Sequence, residues 1–173
     1  MTQIGMVRLI SQDAAMRAAL EHPKDFREGY DADPAGQEEW IRTVVDQTLE
    51  LQSRNGAVPP WTGYLAVCSR TGRVIGCGGF KGNPTPAGDV EIAYFTFPDH
   101  ERQGFGAAIA AELFRIAASR PGPRRVLAHT LPQPNASTRI LERLGFSRLG
   151  EVEDPEDGTV WRWRRDLSRD DAG

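Results

Sequence analysis

Residues 90–107, VEIAYFTFPDHERQGFGA, are the stretch best equipped for chemistry. An apolar, β-branched and aromatic run stops at Pro98. A polar turn follows, and Gly104-Phe105-Gly106 leads into an apolar pattern at helical spacing. That order reads as strand, glycine loop and helix start. The first N–H groups of a helix have no partner within it, and the helix dipole is positive at that end. Glycine lets the backbone close on an anion, so residues 102–107 read as a seat for a phosphate-bearing cofactor. Glu91 interrupts the preceding apolar strand, on one face with Ala93 and Phe95. A carboxylate there is either an ion-paired structural group or a group that handles protons or positions a substrate. Farther on, Asn135, Ser137 and Thr138 are residue types that cap a helix start.

The other reactive residue types point to no second chemistry. Cys68 and Cys77 flank a turn at Thr71-Gly72, pair with no evident histidine, and read as fillers of buried strands. His22, His100 and His129 have no metal-ligand spacing, so no metal is expected. Arg139 and Arg143, four apart, read as a solvated helix face, with phosphate contact as the lesser alternative. Trp61 and Tyr64, after Pro59-Pro60, either line a pocket or pack in the core.

These residues need a scaffold, and the periodicity supplies one. MVRLIS (6–11) reads as a strand, and Asp13 as the cap of a helix over residues 14–20. A charged, irregular stretch runs to Pro34. Residues 35–54 carry Trp40, Ile41, Val44, Val45 and Leu49 on one helical stripe. Strands are expected at 63–68, 73–80, 90–97 and 125–131, with a helix over 104–119 between the last two. A short helix carries Ile140, Leu141 and Leu144, and a final hairpin spans 146–153 and 159–165. The expected fold class is mixed α/β (α+β), with a largely antiparallel sheet and flanking helices.

A chain of 173 residues fits one domain, read over 1–167 with a flexible polar tail over 168–173. The net charge of −3 and scattered signs exclude a basic nucleic-acid footprint. No apolar run approaches the ~20 residues of a membrane span, and MTQIGMVRLISQDAAM has no leader pattern. A cytoplasmic protein with reduced thiols is the expectation.

Three segments in order, GFKGNP (79–84), VEIAYFTFPDHERQGFGAA (90–108) and HTLPQPNASTRILERLGF (129–146), resemble the GNAT superfamily of acyl-CoA-dependent N-acetyltransferases, and most closely its RimJ/RimL-type branch. The resemblance implies a V-shaped opening between the two central strands, with coenzyme A inside it. It implies that the backbone at Gln103, Gly104, Phe105, Gly106 and Ala107 holds the pyrophosphate, with Arg102 adding charge. It implies that the backbone of strand 94–97, through Phe95 and Phe97, meets the pantetheine and the thioester oxygen, and that Asn135 bonds the pantetheine. Ser137, or else Thr138, is the implied proton donor to the leaving thiolate. Glu91 is the implied base or amine-positioning group. One position departs from the family pattern, because acidic Glu101 stands where the phosphate loop usually has Gln or Arg.

The function so implied is transfer of an acetyl group from acetyl-CoA, without metal, to a primary amine of a small molecule or a protein N-terminus. Transfer proceeds by direct attack in a ternary complex. The alternative is a coenzyme-binding sensor with little turnover. No nucleic-acid or membrane partner is expected, and the protein is expected as a monomer or homodimer.

Overall fold

The computed structural model describes residues 5–168 and 171. The expected flexible tail over 168–173 falls largely outside them. The described elements run β1 (Val7–Ser11), α1 (Ala14–Ala19), α2 (Pro23–Tyr30), α3 (Glu38–Asn55), β2 (Gly63–Cys68), β3 (Val74–Phe80), β4 (Asp89–Thr96), α4 (Phe105–Ala118), β5 (Arg125–Thr130), α5 (Ala136–Arg143), β6 (Ser147–Asp154) and β7 (Gly158–Asp166). The strands form one seven-stranded sheet in the order β1-β2-β3-β4-β5-β7-β6. Every pair is antiparallel except β4 with β5. This is the mixed, mostly antiparallel architecture that the pattern led us to expect.

The one parallel pair shapes the site. Its register runs from Asp89↔Arg125 to Ile92↔Ala128 and stops there. β4 continues to Thr96 and β5 to Thr130, so beyond Ile92 the two strands diverge without pairing. The other side of β4 stays paired with β3 as far as Gly76↔Thr96. Residues 93–96 therefore present one strand edge whose backbone groups have no strand partner, a ready template for an extended ligand.

Two apolar layers hold the sheet. Ile92, Ile109, Leu113, Val126, Leu141 and Trp163 share the layer under α4 and α5. Met16, Leu20, Phe26, Ile41, Val45 and Phe97 share the layer under α1 to α3. Glycine sets how closely α4 lies on the sheet. A β-carbon at Gly78 would come within 2.8 Å of Ile109 Cγ2. Trp163 satisfies its buried indole N–H by donating to Thr130 Oγ1 at 3.0 Å.

Local chemistry explains most element boundaries. The Asp13 carboxylate accepts from Met16 N–H at 2.7 Å and opens α1. Gly56, left-handed at φ 65°, closes α3. The stretch expected to be irregular up to Pro34 instead contains α2. Proline at its first turn suits a helix start, but only Phe26 on it is buried, so it has no apolar period to recognise. The α3 stripe is also narrower than expected. Ile41 and Val45 are fully buried, whereas Trp40 is 48% exposed and meets Phe97 edge-on at 6.3 Å.

Candidate active site

The glycine loop has the geometry of an anion seat. After Thr96 the chain makes a 3-10 turn over Pro98–His100 and enters α4 through Gly104, left-handed at φ 84°. Arg102 is left-handed too, at φ 58°. The first helical bond of α4 is donated by Ala108 N–H to Gly104 O at 3.1 Å. The N–H groups of Phe105, Gly106 and Ala107 are left with no acceptor in the helix, at its positive end. They open into a cleft of about 490 Å3 between the loop, the end of β4 and the start of α5.

The structure brings Phe95, Arg102, Gly104, Phe105, Gly106, Ala107 and Ser137 to that cleft. It does not bring three other expected residues there. Phe97 is wholly buried against the helical layer, and its N–H donates to Ile75 O at 2.9 Å, so neither ring nor amide faces the cleft. Gln103 is exposed, and its amide nitrogen lies 3.5 Å from Asp99 O. Asn135 accepts from Thr138 N–H at 3.0 Å and serves as the cap of α5. The same capping box separates the two hydroxyl candidates. Thr138 is buried, with its hydroxyl bonded to Asn135 N and O. The Ser137 hydroxyl side of the helix start borders the cleft.

Arg139 and Arg143, read from spacing as a solvated face, line the cleft with Arg102. Three guanidinium groups there outnumber Glu101, the one carboxylate among the lining residues, so the acidic departure in the loop leaves the cleft positive.

A second cavity of about 240 Å3 lies across β4, between α3 and strands β2 to β4. Tyr94 and Phe95 border both spaces, so cleft and cavity meet where β4 parts from β5. Trp61 and Tyr64 are not on its wall. Trp61 packs edge-on against Phe80 at 5.0 Å, and the Tyr64 hydroxyl donates to Pro60 O at 2.7 Å.

Glu91 borders neither space. Its Oε1 is 3.2 Å from Lys81 Nζ, an ion pair, and 3.0 Å from His129 Nδ1, with hydrogen-bond alignment to neither. Arg162 Nε donates to His129 Nε2 at 3.1 Å, which assigns the imidazole proton to the Nδ1 side facing Glu91. Burial alone would depress the Lys81 ammonium. Glu91 and the more distant Asp157 and Asp154 outweigh that, and its pKa lies above the ordinary value.

Tyr94, one more aromatic of an apolar strand in the sequence, reaches the cleft from β4. Its buried hydroxyl has no hydrogen-bond partner and lies toward Ser137. Burial pushes it up to about 12, and burial pushes Cys77 on the cavity wall up to about 11. Both are acids that keep their proton longer folded than unfolded. Their stabilising share is complete below the unfolded values near 9 and 10 and is lost as pH rises through 11 and 12. Urea denaturation from pH 8 to 12 is therefore expected to show a fall of about 2 kcal/mol per group. Tyr94→Phe removes the upper part of that fall. An unchanged pH profile in this variant would mean that the hydroxyl is solvated.

Among the described residues, no helix is long and apolar enough to cross a membrane, and no three His, Cys, Asp or Glu side chains cluster as metal ligands.

The fold agrees with comparisons to known proteins. A profile of the acetyltransferase (GNAT) domain matches residues 4–147. The chain is 29% identical over 97 residues to the uncharacterized N-acetyltransferase YjdG of Bacillus subtilis (strain 168), and the match covers 56% of this chain and 58% of that relative's length. In fold it is similar to RimL, a ribosomal L7/L12 alpha-N-protein acetyltransferase solved with coenzyme A. The TM-score is 0.66 at 18% identity, covering 97% of this chain and 96% of that one. It is also similar to YncA of Salmonella typhimurium, solved with its cofactor acetyl-CoA, with a TM-score of 0.58 at 19% identity and 94% of each chain covered.

Proposed function

This chain belongs to the GNAT acetyltransferase family and is an acyltransferase, and on that premise we propose that it carries an acetyl group from acetyl-CoA to a primary amine of a small molecule or a protein N-terminus. The observation that carries this reading is the meeting of two spaces at Tyr94 and Phe95, one fitted for a phosphate-bearing ligand and one smaller and largely apolar, of a size for a small amine.

In this reading the N–H groups of Phe105, Gly106 and Ala107 hold the pyrophosphate, with Arg102, Arg139 and Arg143 supplying longer-range charge. The unpaired edge of residues 93–96 binds the extended pantetheine arm. An amine in the cavity then reaches the thioester carbonyl directly. A C–N bond forms, the C–S bond breaks, and no enzyme side chain is acylated. Holding both partners at one junction supplies much of the rate. A backbone amide near Phe95 steadies the charge that builds on the carbonyl oxygen. The neutral amine sheds one proton as its nitrogen takes the acetyl group. Ser137, beside the protonated Tyr94 hydroxyl, gives a proton to the leaving thiolate and is refilled by that one, so amide and free thiol are the products. A thiol pKa of about 8.5 asks little of that donor.

Glu91 acts here as the anchor of Lys81 and His129 more than as a base, because the Lys81 ammonium and the His129 imidazole already flank its carboxylate outside both spaces. Glu91→Gln is expected to lower kcat/KM about tenfold, equally from pH 6.5 to 9.5. A loss confined to pH values where the amine is protonated would make Glu91 the proton acceptor instead. The proposal as a whole is tested by incubating the protein with acetyl-CoA and an amine and weighing the products. Acetylated amine with released thiol supports it, and bound acetyl-CoA with no transfer to any amine overturns it.

A further inference from the structure

The amine-side cavity carries polar atoms that the fold leaves unused. Gln12 is only 3% exposed, and its side-chain oxygen has no partner. Gln52 presents a buried amide nitrogen, also without a partner. Both line the cavity. Leaving such a group unpaired costs about 1–3 kcal/mol, so two of them on one wall call for an explanation.

Neither amide sits there by accident of a loose side chain. Gln12 directly follows β1, and its N–H is tied to Gly63 O at 2.9 Å. Gln52 comes from the last turns of α3. A β-carbon on Gly63 would lie 3.5 Å from Gln52 Nε2 and would overlap Thr48 Cγ2, so glycine at 63 is what lets α3 bring Gln52 onto the sheet. The remaining wall is largely apolar, from Leu51, Phe80, Ala93 and Phe95.

Charge on the wall is equally selective. Lys81 is the one charged lining residue, and its ammonium already faces Glu91 at 3.2 Å and Asp157 at 3.8 Å. It has little left for a substrate carboxylate. No carboxylate lines the cavity to receive a second cation. At about 240 Å3 the space is also below the ~300–1,000 Å3 typical of pockets for drug-sized ligands.

We propose that Gln12 and Gln52 are specificity residues that select an acceptor with a single amine beside an uncharged amide, an α-amino carboxamide, and turn away polycationic amines. A carboxamide or first peptide group has one donor and one acceptor to offer, and the two glutamines can meet both. The inference rests on the amine-acetylation reading.

The test measures acetyl transfer to L-alaninamide, 2-aminobutane and spermidine, with acetyl-CoA affinity measured alongside. Alaninamide is expected to exceed the other two in kcat/KM by at least about tenfold, because an analogue lacking the amide leaves buried groups unpaired. Gln52→Leu and Gln12→Leu are each expected to shrink the alaninamide to 2-aminobutane ratio by about tenfold. Retained acetyl-CoA affinity shows that each variant is folded. An Ala-Ala-Ala amide arm identifies the source, since a better peptide points to polypeptide N-termini and a poorer one to free amino-acid amides. Bound acetyl-CoA with no preference for alaninamide, or with none of it acetylated, overturns this proposal alone. No acetyl-CoA binding overturns the acetyltransferase reading and this one with it.

Discussion

Gly106→Trp is expected to abolish acetyl-CoA binding in a calorimeter while the far-UV dichroism stays that of the folded protein. Gly106 is the second residue of α4, and its N–H is one of the three that open the helix. A β-carbon built there lies 3.1 Å from Ile140 Cδ1 on α5 and 3.3 Å from Thr96 Oγ1 on β4. Those atoms stand on the two walls of the cleft, so any larger side chain at 106 projects across it. Ile140 Cδ1 is the end of a flexible side chain and can yield, which favours a blocked cleft over a broken fold. The φ of Gly106 lies outside the left-handed region, so the backbone tolerates the substitution. Micromolar affinity in the natural sequence, reduced at least a hundredfold in the variant, would locate the coenzyme at this loop. Equal affinity in both would remove the phosphate seat from α4.

The loop could be read from sequence because its function rests on the backbone. Glycine, helix start and preceding strand are consecutive, and their types alone dictate where N–H groups point. Side-chain chemistry was legible only in part. Ser137 and Thr138 suit a cap or a proton donor equally well as residue types. What divides them is that the Thr138 hydroxyl closes the capping box with Asn135, a matter of one helical step. Phe95 and Phe97, two residues apart, fall on one face by alternation, and what divides them is that Phe97 lies past the end of β4, where its ring joins the helical layer and its amide donates to Ile75.

What stayed hidden was assembled across long separations. Gln12 and Gln52 share a wall only because α3 crosses β2 at Gly63. Glu91 and His129 come from β4 and β5 and Lys81 from the residue after β3, and their contact depends on the β4–β5 pair being parallel, which no local pattern announces. The family resemblance named Glu91 without naming Lys81 and His129, which flank it. It pointed to a hydroxyl on α5, while the Tyr94 hydroxyl approaches the same place from β4, on the other wall.

Gly76 shows how strictly the glycines of β3 set the cleft, and it gives the largest stability effect expected. A β-carbon at Gly76 would overlap the carbonyl oxygen of Phe95 and come within 3.1 Å of Thr96 Cα. Both are backbone atoms of β4, so no rotamer change relieves the clash and the strand itself must move. Gly76→Ala is therefore expected to destabilise by about 3 kcal/mol, lowering Tm by roughly 6–12 °C. The displaced segment is the edge proposed to bind pantetheine, so acetyl-CoA affinity is expected to fall about tenfold in the fraction that remains folded. Gly29→Ala provides the contrast. Its β-carbon meets nothing within 4 Å, and its place in α2 favours alanine by about 0.5–1 kcal/mol. The same one-carbon change should thus lower Tm at 76 and raise it slightly at 29. Equal Tm and equal affinity for Gly76→Ala and the natural sequence would mean that β3 and β4 can separate at Thr96 without cost, and that the cleft does not depend on their close approach.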